Sequence, residues 1–372
     1  MKDDFEVPSF VPRRWLSNGH LQTIAGNFLP RPDRLPPSTA ELVEVSPATP
    51  TQISSQVLCH CHWQPEMVRG ERLTVILLHG LEGSSASQYI VGNANKMWLA
   101  GLNVVRMNMR NCGGTEALSP TLYHSGLSGD VRAVMETMTR RFGLEHVALV
   151  GYSMGGNLVL KLAGELGAGG LGAQVAPMLR AVVAVSPALD LGPSSDALHL
   201  PINRLYERKF RFALLKRFRR KAVLFPRVFD PARADGIRSL RDFDERITAF
   251  YSGFQSASDY YFRAAAARVL SSITVPTLIL HALDDPFVHI TPESRAEIMG
   301  NRHITLVESV HGGHCAFLAT PNDAAADDGY WAETTALRFL LAQDHRNAKS
   351  TQGSRRWSDK VPRFWLHQND GA

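Results

Sequence analysis

The period of apolar and polar positions changes repeatedly along the 372 residues, and the changes divide the chain into elements. Two short, partly alternating apolar segments, Glu41 to Val45 and Ile53 to Trp63, flank the turn-forming SPATPT and predict an opening β-hairpin. Thr74 to Leu78 (TVILL) is a continuous run of the buried-strand kind. Tyr89 to Ala100 then has helical spacing, Gly101 stops it, and Asn103 to Met109 is the next strand. Strand, helix and strand in that order make a βαβ unit. The alternation continues through helix Gly129 to Arg141, strand His146 to Val150, helix Asn157 to Leu166 and strand Ala181 to Val185.

Strand character then pauses. From about residue 189 to 266 the chain is helical, basic and rich in aromatics, before Pro276 to His281 and Ile304 to Glu308 restore strands. An insertion of this kind predicts a helical cap over a mostly parallel α/β sheet. Trp331 to Leu341 predicts a final helix. Residues 1–343 therefore form one expected domain, with 344–372 a polar, loosely ordered tail and Pro30 to Pro37 a connector.

Composition narrows the class. An apolar fraction of 44% and a charged fraction of 20% are those of a globular protein. A net charge of +5 raises nucleic acid or an anionic membrane surface as partners. The excess is local, in Arg204 to Lys221 and from Arg346 onward; neither stretch resembles a nucleic-acid motif, and no nucleic-acid partner is expected. Phe210, Phe212, Leu214, Leu215 and Phe218 lie among the cap's cations. The simpler expectation is a cap helix that packs aromatics over a pocket and turns charge to water; the alternative is peripheral contact with anionic lipid. Four scattered cysteines form no disulfide framework, and the N-terminus has neither a secretory pattern nor, anywhere after it, roughly 18 uninterrupted apolar residues. A reducing, cytoplasmic setting is expected. Cys59, His60, Cys61 and His62 invite a metal reading, but alternation along a strand separates thiols from imidazoles, so strand packing and no metal are expected.

The sharpest chemical signal is Gly151, Tyr152, Ser153, Met154, Gly155, set between a predicted strand and a predicted helix. This is a nucleophile elbow, in which flanking glycines permit a strained turn that lifts the serine hydroxyl to the carboxyl edge of the sheet. It predicts an α/β-hydrolase fold. Serine is a weak nucleophile and needs a base, which in this fold comes last in chain order, after the acid. His314, after ITLVE in the loop SVHGGH, is the favoured base, with His311 its rival. Asp285 is favoured as the acid over Asp284, whose alternative role is to cap the turn. Oxyanion donors are expected from the backbone N–H of Met154 and of Leu81 in the turn HGLEG. Asp190 could be a rival acid but better suits a helix start or turn, and His20 either lines the pocket or staples the front of the fold, the structural role being favoured.

Seven segments carry a resemblance to a known family: NGHLQTI (residues 18–24), HGLEGS (79–84), RNCGGTE (110–116), GYSMGGN (151–157), FDERITAFYSGFQSASDYY (243–261), DDPF (284–287) and GGHCAF (312–317). Together they resemble the YheT-like α/β-hydrolases, which include plant embryogenesis-associated and animal abhydrolase members. The resemblance implies a cofactor-independent esterase or lipase-type activity on carboxylic or phospholipid esters, with Ser153, Asp285 and His314 matching the family triad. The expected function is a carboxylesterase-like serine hydrolase. Alternatives are a lipase or phospholipase at an anionic membrane and a non-catalytic binding module on the same fold.

Overall fold

The computed structural model describes residues 5–50, 52–169, 172, 174–321 and 328–351. Eight strands form one sheet: β1 (Thr39–Ser46), β2 (Ser55–His62), β3 (Thr74–Leu78), β4 (Asn103–Met107), β5 (Val147–Tyr152), β6 (Leu179–Val185), β7 (Thr277–Ala282) and β8 (Ile304–Ser309). Their spatial order is β1-β2-β4-β3-β5-β6-β7-β8. β1 and β2 pair antiparallel, as does β2 with β4, and every later pair is parallel. This is the α/β-hydrolase architecture that the elbow predicts.

The strands differ in pattern because they differ in cover. β3, β5 and β7 are buried at every position, as parallel strands covered on both faces must be, whereas β1 at the edge alternates exposed and buried residues. Val57, Ile76, Leu78, Val105 and Leu149 pack into the apolar layer on one face, and Val75, Leu77, Val104, Val150 and Val183 into the other. On β2, Cys59 and Cys61 lie buried in the first layer. His60 and His62 point the other way, toward the Ser38 hydroxyl and the Pro36 carbonyl.

Counting helices of eight residues or more, the chain has α1 (Gly19–Phe28), α2 (Gln88–Leu99), α3 (Ser128–Phe142), α4 (Met154–Gly167), α5 (Leu191–Leu198), α6 (Arg204–Leu224), α7 (Ala257–Ala264), α8 (Pro292–Gly300) and α9 (Trp331–Thr351). α5, α6 and α7, with the π-turn Asp244–Ala249 between the last two, occupy the interval between β6 and β7 and roof the carboxyl end of the sheet.

The structure departs from the sequence reading in three places. The final helix does not stop near residue 341: α9 runs to Thr351, so helical backbone occupies the first part of the expected tail, and the rest of that tail lies outside the described residues. Ahead of the expected connector Pro30 to Pro37 lies a helix that periodicity did not predict, α1, whose Thr23 hydroxyl accepts from the backbone N–H of His314. Finally, the cap does not turn all its charge outward. Lys221 is fully buried and donates to the carbonyls of Glu116, at 2.9 Å, and Ser119, while Phe212 is 68% exposed. Carbonyl acceptors compensate the buried ammonium, and its burial holds the Lys221 pKa down to about 7.

Candidate active site

The elbow follows β5 and opens α4. Ser153 has φ 54° and ψ −116°, a strained backbone for a residue with a side chain. The glycines around it are sterically required. A Cβ on Gly155 would lie 2.5 Å from the His79 carbonyl oxygen and 2.6 Å from that of Leu78, and one on Gly151 would overlap the Gly155 carbonyl. The turn can therefore sit against the end of β3 only with glycine at both places. The Ser153 amide is fixed by the Val185 carbonyl at 2.9 Å.

Asp285 and His314 follow β7 and β8, two parallel strands on the same side of β5, so their loops emerge at the same edge as the elbow. His314 Nδ1 lies 2.8 Å from Asp285 Oδ2, and His314 Nε2 lies 2.9 Å from Ser153 Oγ. With Nδ1–H donated to the carboxylate, Nε2 is the nitrogen left to accept a hydrogen bond from the Ser153 hydroxyl. The other Asp285 oxygen accepts from the N–H groups of Phe287, at 3.1 Å, and Val288, at 3.0 Å. Burial works against charge on both partners. For His314 the Asp285 carboxylate outweighs that penalty and holds its pKa above the ordinary histidine range. For Asp285 the nearby His314 and the hydrogen bonds from His314 and the Val288 amide outweigh burial and hold it below the usual carboxylate range.

The rival residues have other partners. Asp284 Oδ1 accepts from the Gly313 amide at 2.8 Å, which fixes the histidine loop, and Asp284 Oδ2 lies 3.5 Å from His311 Nδ1. Asp190 accepts from the Thr291 amide, at 3.1 Å, and the Ser294 hydroxyl, at 2.8 Å, tying the start of the cap to α8.

Sequence reasoning underestimated α1. Its Thr23 hydroxyl accepts from the His314 amide at 2.8 Å, and Gln22 bonds the carbonyl and amide of Leu318, at 3.0 and 2.8 Å. His20 takes the less favoured of its two readings: it lines the cavity, stacks on Tyr206 of α6 and lies 3.2 Å from its hydroxyl. The motif NGHLQTI was the available signal, but nothing in its spacing specifies a partner some 290 residues away.

Cap and core meet at the turn after β3. Arg217 of α6 makes a two-point pair with Glu82, Nε to Oε1 at 2.9 Å and Nη2 to Oε2 at 3.0 Å, and also bonds the Asn111 carbonyl. Glu82 itself has φ 59° and accepts from the Tyr123 hydroxyl at 2.5 Å. Leu81, beside it, and Met154, the first residue of α4, border the same cavity as Ser153. As a first-turn residue, Met154 has an N–H without an intrahelical acceptor.

Two lobes meet at Ser153. The inner lobe, about 140 Å³, lies under the cap and is walled mainly by apolar and aromatic residues including Leu122, Leu214, Phe218 and Phe243. The outer lobe, about 590 Å³, opens between α1 and α6 and contains the His314 edge, Tyr206 and Lys209. Such a site can activate a serine, receive an oxyanion and bury an apolar ligand group.

Residues 74–321 match the model of the alpha/beta hydrolase fold family. YheT of Escherichia coli (strain K12) is 30% identical over 313 residues, 83% of this chain and 87% of that one. Phospholipase ABHD3 of Mus musculus is 30% identical over 250 residues, 66% of this chain but only 59% of that relative's length. Among solved structures, the 2,6-dihydroxy-pseudo-oxynicotine hydrolase shares the fold with a TM-score of 0.52 at 16% identity, over 87% of this chain and 72% of that one. By the match across its core and its likeness to these relatives, the chain belongs to the α/β-hydrolase fold family, in the group that includes YheT and ABHD3.

Proposed function

We propose that the protein is a serine hydrolase that cleaves carboxylic esters through an acyl-enzyme intermediate. The observation that carries this reading is the unbroken chain from Asp285 to His314 to Ser153, with links of 2.8 and 2.9 Å. Ser153 Oγ attacks the ester carbonyl as His314 Nε2 takes its proton. The C–O bond to the alcohol then breaks, the alcohol leaving with that proton, and water repeats the sequence to release the acid. Asp285 keeps Nδ1–H in place and stabilises the imidazolium without taking the proton. The N–H groups of Leu81 and Met154 receive the oxyanion, a contribution of ~10²- to 10³-fold per donor. No cofactor enters this scheme.

Proton delivery assigns the lobes. The leaving alcohol must lie on the His314 side, and His314 borders the outer lobe, so the acyl group occupies the inner one. The test is labelling by a fluorophosphonate together with turnover of p-nitrophenyl esters graded by acyl length. Labelling that disappears in Ser153→Ala, with hydrolysis lost in parallel, is expected. A folded wild-type chain that neither labels nor turns over would instead make it a binding module.

A second reading, action on lipid esters at an anionic surface, is favoured by the rim of the outer lobe. There Ile24, Phe28, Ile202 and Leu205 are exposed beside Lys209. The name phospholipase borne by the ABHD3 relative supports lipid esters as substrates. Among the described residues no helix is long and apolar enough to cross a membrane. Activity that rises on anionic vesicles and falls with salt is the expected signature.

A further inference from the structure

The segment from Phe243 to Tyr261, one of the seven that carry the resemblance, has no part in the chemistry above, yet it forms one wall of the inner lobe. Its π-turn begins at Asp244, which borders that mainly apolar cavity, as does Arg217. π-turns interrupt regular helices and often occur at functional sites. Asp244 Oδ2 accepts from the Tyr261 hydroxyl and Oδ1 from the Thr248 hydroxyl, both at 2.8 Å, and Ser195 Oγ lies 3.1 Å from the Tyr261 hydroxyl. Asp244, Thr248, Ser195 and Tyr261 all line the lobe.

Burying a carboxylate next to apolar walls is costly, and a pocket meant only for alkyl chains would be more stable with a hydrophobic residue there. The cost shows in Asp244 itself: burial raises its pKa to about 6, against the opposing effect of its bonds to Tyr261 and Thr248. A carboxylate has about four acceptor positions, so these two bonds leave room for another donor.

We propose that Asp244, Tyr261 and Ser195 form a polar subsite in the acyl lobe that binds a hydroxyl group on the acyl chain, making hydroxyacyl esters the preferred substrate class. This rests on the assignment of the inner lobe to the acyl group. A hydroxyl fits better than a cation. Tyr261 presents its hydroxyl to Asp244, the Arg241 guanidinium lies over its ring at 5.4 Å, and the remaining groups are hydroxyls, an arrangement for hydrogen bonding and not an aromatic cage. A carboxylate-tipped chain would be repelled by Asp244.

Binding tests the subsite independently of turnover. The full-length Ser153→Ala variant is titrated calorimetrically with hexanamide, ω-hydroxyhexanamide and an ω-trimethylammonio analogue, alone and combined with Asp244→Leu or Tyr261→Phe. The hydroxylated amide should bind about tenfold more tightly than the plain one, as expected for one added hydrogen bond to a charged acceptor. Both second substitutions should bring that ratio toward one. Tyr261→Phe keeps the ring and decides the matter if Asp244→Leu fails to fold. Equal binding of the first two amides, tightest binding of the ammonium analogue, or a preference that survives Tyr261→Phe would overturn the proposal. A retained binding preference in a chain whose wild type shows no fluorophosphonate labelling would refute the hydrolase reading alone.

Discussion

The hydroxyl of Thr23 accepts a hydrogen bond from the backbone N–H of His314 at 2.8 Å, and the same hydroxyl donates to the Gly19 carbonyl at 2.6 Å. α1 thereby acts as a brace for the loop carrying His314. Thr23→Val keeps the shape but leaves the His314 amide without this acceptor, a penalty of ~1–3 kcal/mol. The expected result is a lower Tm and a kcat reduced about tenfold or more with KM little changed. Wild-type kcat in a variant of lowered Tm would show that the brace serves stability alone.

Asp285→Asn tests the pairing with His314 through pH. The wild-type histidine is held above its ordinary range by the carboxylate, and the base works only when deprotonated. The kcat/KM profile should therefore rise on a limb displaced above the ordinary histidine pKa of about 6.5. The variant should move that limb downward and lose several orders of magnitude in rate. Stability follows with opposite signs for the two groups. The raised histidine contributes stability that is complete below its unfolded-state pKa and is lost as pH rises through the folded one. The depressed Asp285 contributes stability present above its unfolded-state value and lost as pH falls through the folded one. Chemical denaturation at graded pH should show both losses in the wild type and neither in the variant.

Arg217→Met should loosen the turn that bears Leu81. It leaves Glu82 partly buried without its two-point partner, and breaking a buried pair costs about 3–5 kcal/mol before relief by solvent, less here because both side chains keep some exposure. Stability and kcat should both fall, and Glu82→Gln on the same background should restore part of the stability. A double variant no more stable than the single one would contradict the pairing argument.

Gly155→Ala should cost more stability than Thr23→Val. Its Cβ would meet two backbone carbonyls of the β3 end at 2.5 and 2.6 Å, atoms that cannot move without displacing the strand. Overpacking of this kind costs roughly 1–3 kcal/mol where neighbours are side chains, so a larger loss is expected against backbone. Thermal unfolding measures it; a Tm within a few degrees of wild type would mean that the elbow can shift.

Strand order along the chain, the helices between strands and the cap insertion were legible because each follows from local periodicity. The elbow was legible for a related reason, since its glycines satisfy a constraint within five residues. His314 and Asp285 could be named because their loops follow late strands, but the choice between Asp284 and Asp285 turned on side-chain direction. Adjacent residues diverge there: Asp285 reaches the histidine ring and Asp284 the Gly313 amide.

The amino-acid order alone determined which segments become strands, where the turn carrying Ser153 must lie and which residue types could activate it, because those properties depend on near neighbours in the chain. Only the folded chain decided that α1 returns to brace the His314 loop, that Arg217 and Lys221 turn inward, and that Asp244 borders the inner lobe. These contacts join residues far apart in sequence, and their energies depend on burial and direction, quantities that exist only once the sheet has brought its loops to one edge.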